Sequence, residues 1–185
     1  MIDDILEELQ QSIGKAHEAL RRELAKIRTG RAHPSLLDSV RVDSYGSPTP
    51  ISQMASINVP EARMLTIKPW DKSQIKAIEK AIVSSPLGLN PQNDGELIRV
   101  PLPPLTEERR KELVKLARAA GEDTRVAIRK ARRDANDMLD GLKGEKEVGE
   151  DDADRAKKKV DEAVHAGTAQ VDHIVGQKEK DILEL

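Results

Sequence analysis

Three stretches of this chain place apolar residues at steps of three and four for many turns, and no compact fold can leave such stripes uncovered. The first runs through Ile2, Leu6, Leu9, Ile13, Ala16, Leu20, Leu24 and Ile27 and stops at Arg28-Thr29-Gly30, a base followed by glycine. The second starts after Thr106, a helix-capping residue followed by Glu107 and Glu108, where the helix dipole favours acids. Its stripe reads Leu113, Leu116, Ala120, Thr124, Ala127, Ala131, Ala135, Met138 and Leu142. The third opens at Glu150-Asp151-Asp152 and continues through Ala153, Ala156, Val160, Val164, Val171, Ile174 and Ile182. One stripe cannot bury itself, but three can bury one another, so the pattern predicts a long antiparallel three-helix bundle.

Between the first two stripes the periodicity changes. Prolines crowd into residues 31–104, and only short apolar runs occur there. Val40 and Val42 alternate with polar residues, and Gly46-Ser47-Pro48-Thr49-Pro50 reads as a turn. Ser56–Val59, Met64–Lys68 and Leu97–Val100 read as strands, and Asp71 or Ser73 caps a short helix bearing Ile75, Ile78, Ala81 and Ile82. Trp70, at a strand end, is expected to anchor the core of this segment. The fold class is therefore α+β: a bundle made of 1–30 and 105–185, with a small α+β domain inserted at 31–104. Two short crossings, Gly30-Arg31 and the stiff Pro101, Pro103, Pro104, Leu105 segment, would form a hinge in an L-shaped molecule.

Charge narrows the function. The net charge is only −2, yet Glu107–Arg133 holds ten Lys or Arg against five acids, a net of +5, while 134–185 carries −7. On a helix, Lys111, Arg118, Arg125, Arg129 and Arg132 fall within a sector about 60° wide, with Asn136 on the same line and Glu122 its one acid. The apolar stripe centres about 140° from that sector, so the ridge is expected to face outward. Arginine forks suit phosphate, and a rigid row of them can follow an A-form RNA groove by shape. The competing reading is a solvated face whose bases pair with nearby acids.

Other chemistries have little to stand on. There is no cysteine, so disulfides, thiolate catalysis and thiolate metal sites are excluded. His17, His33, His165 and His173 lack ligand spacing, and the acidic clusters Asp134–Asp137 and Glu150–Asp154 lack the central Gly and terminal Glu of a calcium loop. No phosphate-binding Gly-rich loop or nucleophile elbow occurs, so neither an enzyme nor a cofactor is expected. An acidic N-terminus and the lack of any run of roughly 18 apolar residues predict a chain with no signal peptide or membrane span, placed in the cytoplasm.

Several strings together are more specific. Lys26-Ile27-Arg28-Thr29-Gly30-Arg31-Ala32 precedes Pro34-Ser35-Leu36-Leu37-Asp38, then Tyr45-Gly46-Ser47-Pro48-Thr49-Pro50 and Leu87-Gly88-Leu89-Asn90-Pro91. Ile98 to Arg110 and Arg132-Arg133-Asp134-Ala135-Asn136 complete the set, which resembles the bacterial ribosome recycling factors. The last helix has no comparably specific string. The resemblance implies a monomeric factor that enters the post-termination ribosome and separates its subunits with elongation factor G and GTP hydrolysis. It implies that the bundle lies on large-subunit ribosomal RNA, with Arg129 and Arg132 in contact. It also implies an elbow at Gly30, Arg31 and Pro101–Leu105, and no role for DNA. The alternative from another class is a helical assembly or chaperone-like protein that oligomerises through its stripes.

Overall fold

A computed structural model describes residues 1–184; Leu185, which the sequence assigns to the bundle, lies outside the described residues. The chain divides into two compact units, Met1–Arg28 with Glu107–Glu184, and Thr29–Thr106.

The first unit consists of α1 (Ile2–Ala25), α3 (Glu107–Gly144) and α4 (Glu150–Leu183), each packed on the other two. Along α1 the buried residues are Ile5, Leu9, Ile13, Leu20 and Leu24, and the helix ends at Ala25 rather than running on to Ile27. Helix α4 buries Ala153, Ala156, Val160, Gly167, Val171, Val175 and Ile182. His17 links α1 to the middle of α4, its Nε2 lying 2.8 Å from the Gly167 carbonyl oxygen.

The α3 stripe departs from expectation. Its buried residues are Leu113, Val114, Ala117, Gly121, Thr124, Ile128, Ala135 and Leu139, whereas Leu116 and Met138 are 53% and 42% exposed. The buried face is thus turned by about 60° from the one read off the sequence. Steps of three and four describe two neighbouring stripes equally well, and half of the true one is small: Ala117, Gly121, Thr124 and Ala135.

Those small residues let the helices approach closely. A Cβ on Gly121 would lie 2.7 Å from Val175 Cγ2, and one on Gly167 would lie 2.9 Å from Ile13 Cγ2. Gly121→Val is therefore expected to destabilise the bundle by about 1–3 kcal/mol through overpacking. Gly141, with nothing within 4 Å of its would-be Cβ, serves as the control: Gly141→Ala should raise stability by up to about 1 kcal/mol through helix propensity. Urea melts of the two variants check the pair; equal effects would show that close approach is not what α3 needs there.

The second unit holds a hairpin of β1 (Arg41–Ser44) and β2 (Ser47–Pro50), and a four-stranded antiparallel sheet. The sheet comprises β3 (Ala55–Glu61), β4 (Met64–Pro69), β5 (Gln92–Asn93) and β6 (Ile98–Pro101), in the order β3-β4-β6-β5. The stretch 47–50, read as a turn, is a strand; the turn itself is Tyr45-Gly46, both at positive φ (51° and 84°), the type I′ geometry that hairpins favour. Helix α2 (Ile75–Ser84) buries Ile75, Ile78 and Ile82 in a core shared with Leu37, Val42, Ile51, Leu65, Ile67, Ile98 and Val100. Trp70 is not part of that core: it is 69% exposed. Pro69 is the buried residue at that strand end, and strand alternation carries its neighbour to the other face.

The two segments that lead out of this unit hang from one turn. Ala32 donates its backbone N–H to the Ala62 oxygen at 2.7 Å, and Leu102 donates to the Arg63 oxygen at 2.8 Å. Gly30 has φ +76°, and a Cβ there would lie 3.1 Å from Leu105 Cγ. Pro101 is still paired with Met64 in the sheet, while Arg31, Pro103 and Pro104 are exposed.

Acid should act on this unit through Asp94. The N–H groups of Glu96 and Leu97, and then Arg99, hold its carboxyl below the ordinary aspartate range. A depressed folded-state pKa contributes stability that is fully present above the unfolded value and is lost as pH falls through the folded one. Amide protection at Glu96 and Leu97 should therefore fall below roughly pH 4. In Asp94→Asn that loss should be largely absent; an unchanged acid response in the variant would exclude Asp94 as its source.

Candidate nucleic-acid interface

Six residues were expected on one ridge of α3, and the structure places Lys111, Arg118, Arg125, Arg129, Arg132 and Asn136 on one side of that helix. The ridge does not point straight outward, however. Because the buried face is turned toward it, the ridge runs along the edge of the α3–α4 contact, where α4 presents acids.

Arg118, Arg125 and Arg132 are seven residues apart, about 10.5 Å along a helix, and each meets one carboxylate of α4. Arg118 uses both arms of its fork, Nε at 2.6 Å and Nη2 at 3.3 Å from the Glu179 carboxylate. Arg125 donates through Nη2 to Asp172, with Glu122 as a second partner at 3.5 Å. Arg132 donates through Nε to Asp161 at 2.8 Å. The arrangement matches interhelical pairs flanking a coiled-coil seam. Hydrogen bonding to Glu179 raises the Arg118 pKa, and hydrogen bonding to Asp172 raises that of Arg125, so both remain cationic.

The two remaining ridge bases are paired within α3. Lys111 meets Glu107 at 2.9 Å, and Arg129 donates to Glu122 at 2.8 Å. The Arg129 hydrogen bond is the first cause holding the Glu122 carboxyl below its ordinary range, with Arg125 contributing. Lys115, Lys130 and Arg133 have no ion pair among the described residues.

The far end of the ridge gathers three guanidinium groups. Arg129, Arg132, Arg133 and Asn136 line an open depression of about 310 Å³. Asn136 Oδ1 is buried there with no hydrogen-bond partner. Three guanidinium groups can together take phosphate oxygens from a ligand. Arg133 is not one of the six ridge residues, because helix phase puts it about 40° beyond the ridge sector. Conversely, Lys111 lies far from this depression in sequence and contributes charge only to the other end.

The family model described as "Ribosome recycling factor" matches residues 20–183. The ribosome-recycling factor of Sorangium cellulosum is 60% identical over 100% of both chains, and that of Brevibacillus brevis 52% identical over the same extent. A solution structure of a ribosome recycling factor aligns with a TM-score of 0.67 at 39% identity, covering 100% of this chain and 98% of that one. A second aligned structure gives a TM-score of 0.60 at 41% identity, with 99% of each chain covered. That structure comprises models for the T. thermophilus ribosome recycling factor and the E. coli elongation factor G bound to the E. coli post-termination complex.

Proposed function

This chain belongs to the ribosome recycling factor family, and on that footing we propose that it recycles ribosomes after termination, splitting the post-termination complex together with elongation factor G and GTP. The single observation that carries this is the match along the whole chain, at up to 60% identity, to proteins of that name. The aligned structure of a recycling factor with elongation factor G on the post-termination complex supports the partner.

Within that function the bundle binds large-subunit ribosomal RNA through the α3 ridge. The depression between Arg129, Arg132, Arg133 and Asn136 supports this reading, because it gathers three guanidinium groups, of which Arg133 has no ion pair among the described residues and Arg132 donates only through Nε. Contact is by backbone and shape rather than by reading bases, as suits a wide, shallow A-form groove. The Thr29–Thr106 unit is the arm on which elongation factor G acts. Residues 30–31 and 101–105 form the hinge, supported by Gly30 at positive φ and by Ala32 and Leu102 being fixed to one turn. The factor works as a monomer in the cytoplasm, where ribosomes are, and engages neither DNA nor membrane. No described helix is long and apolar enough to cross a membrane. GTP chemistry belongs to the partner, so the protein acts as a binding factor and not as an enzyme.

Light scattering of post-termination ribosomes tests the proposal. Adding the protein with elongation factor G and GTP should lower the scattering as subunits separate, while either factor alone should not. Scattering that stays constant with both present would sink the assignment.

A further inference from the structure

We propose that Asp161, Asp172 and Glu179 of α4 form a counter-charge row that competes with ribosomal RNA for the α3 arginines and so sets how readily the protein leaves its site. The inference rests on the RNA-binding reading of the ridge and deepens it.

The pairing is systematic. Arginines at 118, 125 and 132 recur at one heptad, and each faces a carboxylate on the antiparallel helix. A carboxylate and a phosphate ask the same thing of a guanidinium: two in-line N–H donors and one positive charge. A group that already donates to Glu179 through both Nε and Nη2 has its fork occupied. RNA must then displace the acid or accept a weaker, one-armed contact beside a negative charge.

The restraint is graded along the helix. Arg118 is held by a full fork, Arg125 by Asp172 and Glu122 together, and Arg132 by one bond from Nε that leaves its terminal nitrogens open. Arg132 and Asp161 are 49% and 56% exposed, so that pair contributes little to holding the bundle together, whereas Arg125 and Glu179 are only 27% and 22% exposed. The placement of the three acids costs RNA affinity in return. A factor that must dissociate after each round gains from that cost, because binding that is too tight would stall release.

The test compares Asp161→Asn/Asp172→Asn/Glu179→Gln with a control carrying the same charge change elsewhere, Glu8→Gln/Glu18→Gln/Asp123→Asn. Affinity for ribosomes is measured by co-sedimentation across a salt series, and release by chase with unlabelled protein. The row-neutralised protein should bind about tenfold more tightly than the control at low salt. It should also leave more slowly and turn over fewer ribosomes per molecule. Affinity equal to the control, or weaker, would overturn the proposal; the weaker result would mean that the acids position the arginines for RNA. The single variant Asp161→Asn, with helix content checked, repeats the comparison should the triple variant not fold. A third arm, Arg129→Ala/Arg132→Ala, separates the two readings. If that protein binds normally, the ridge reading has failed and this proposal with it; if it binds weakly while the acid variant matches the control, only the counter-charge row is overturned.

Discussion

A protein in which residues 31–104 are replaced by a short Gly/Ser linker is expected to fold as a bundle and bind ribosomes, yet to split none. Every buried side chain of α1, α3 and α4 lies outside the deletion, from Ile5 and Leu24 through Leu113 and Ile128 to Ile182. The removed unit takes its own core with it, built on Leu37, Val42, Leu65, Ile67, Ile78 and Ile98. The α3 bases remain, so the RNA contact should survive. Coupling to the partner's motion goes, because displacement needs an arm to push against. The readouts are co-sedimentation and subunit splitting on the same sample. Full splitting by the armless protein would refute a two-unit mechanism, and failure to fold would show that the insertion supports the bundle.

The double variant Arg129→Ala/Arg132→Ala is expected to lose most ribosome binding while keeping its helix content. Each lost charge-assisted bond to phosphate should cost about 1.5–3 kcal/mol, so the pair should weaken binding by a hundredfold or more at low salt. Stability should change by less than about 1 kcal/mol: both side chains are about half exposed, their ion pairs are weak, and alanine is a good helix former. Removing two phosphate contacts should also flatten the dependence of log affinity on log salt by roughly 1.4–1.8. Wild-type affinity with an unchanged salt slope would remove the ridge from the RNA interface.

Much of the fold was legible because long helices announce themselves: sustained steps of three and four fit nothing else, and α3 and α4 begin where the acidic first turns place them. The phase of α3 was not legible. Leucine and methionine outweigh glycine and alanine in any count of apolar residues, so the eye follows Leu116 and Met138. The helix instead buries Ala117 and Gly121, because only small residues let α4 come close. That misphasing is also why the ridge was expected to face outward. Turning the helix brings Arg118, Arg125 and Arg132 against Glu179, Asp172 and Asp161, so the solvated-face reading and the RNA reading apply to the same residues in different degree. Trp70 misled for a related reason: size suggests burial, but strand alternation decides which face a residue takes, and Pro69 already fills the inner position. Arg129 and Arg132 of the depression lie on the ridge that the sequence outlines, and Arg133 does not. The ridge's partners on α4 were not legible, since which heptad of one helix faces which heptad of another is a tertiary fact.

Gly121 bears on how the bundle finds one answer among several. The charges alone would allow α4 to slide by one heptad, because Arg125 could then meet Glu179 and Arg132 could meet Asp172. Such a slide would carry Val175 from Gly121 to Ile128, where no space exists for a second branched side chain. The missing Cβ thus works as a keyway: it admits one seating of α4 and rejects a neighbour that electrostatics would tolerate. A chain filled with leucine at this position could keep its helices and its charge and still lose the single alignment on which a shaped surface depends.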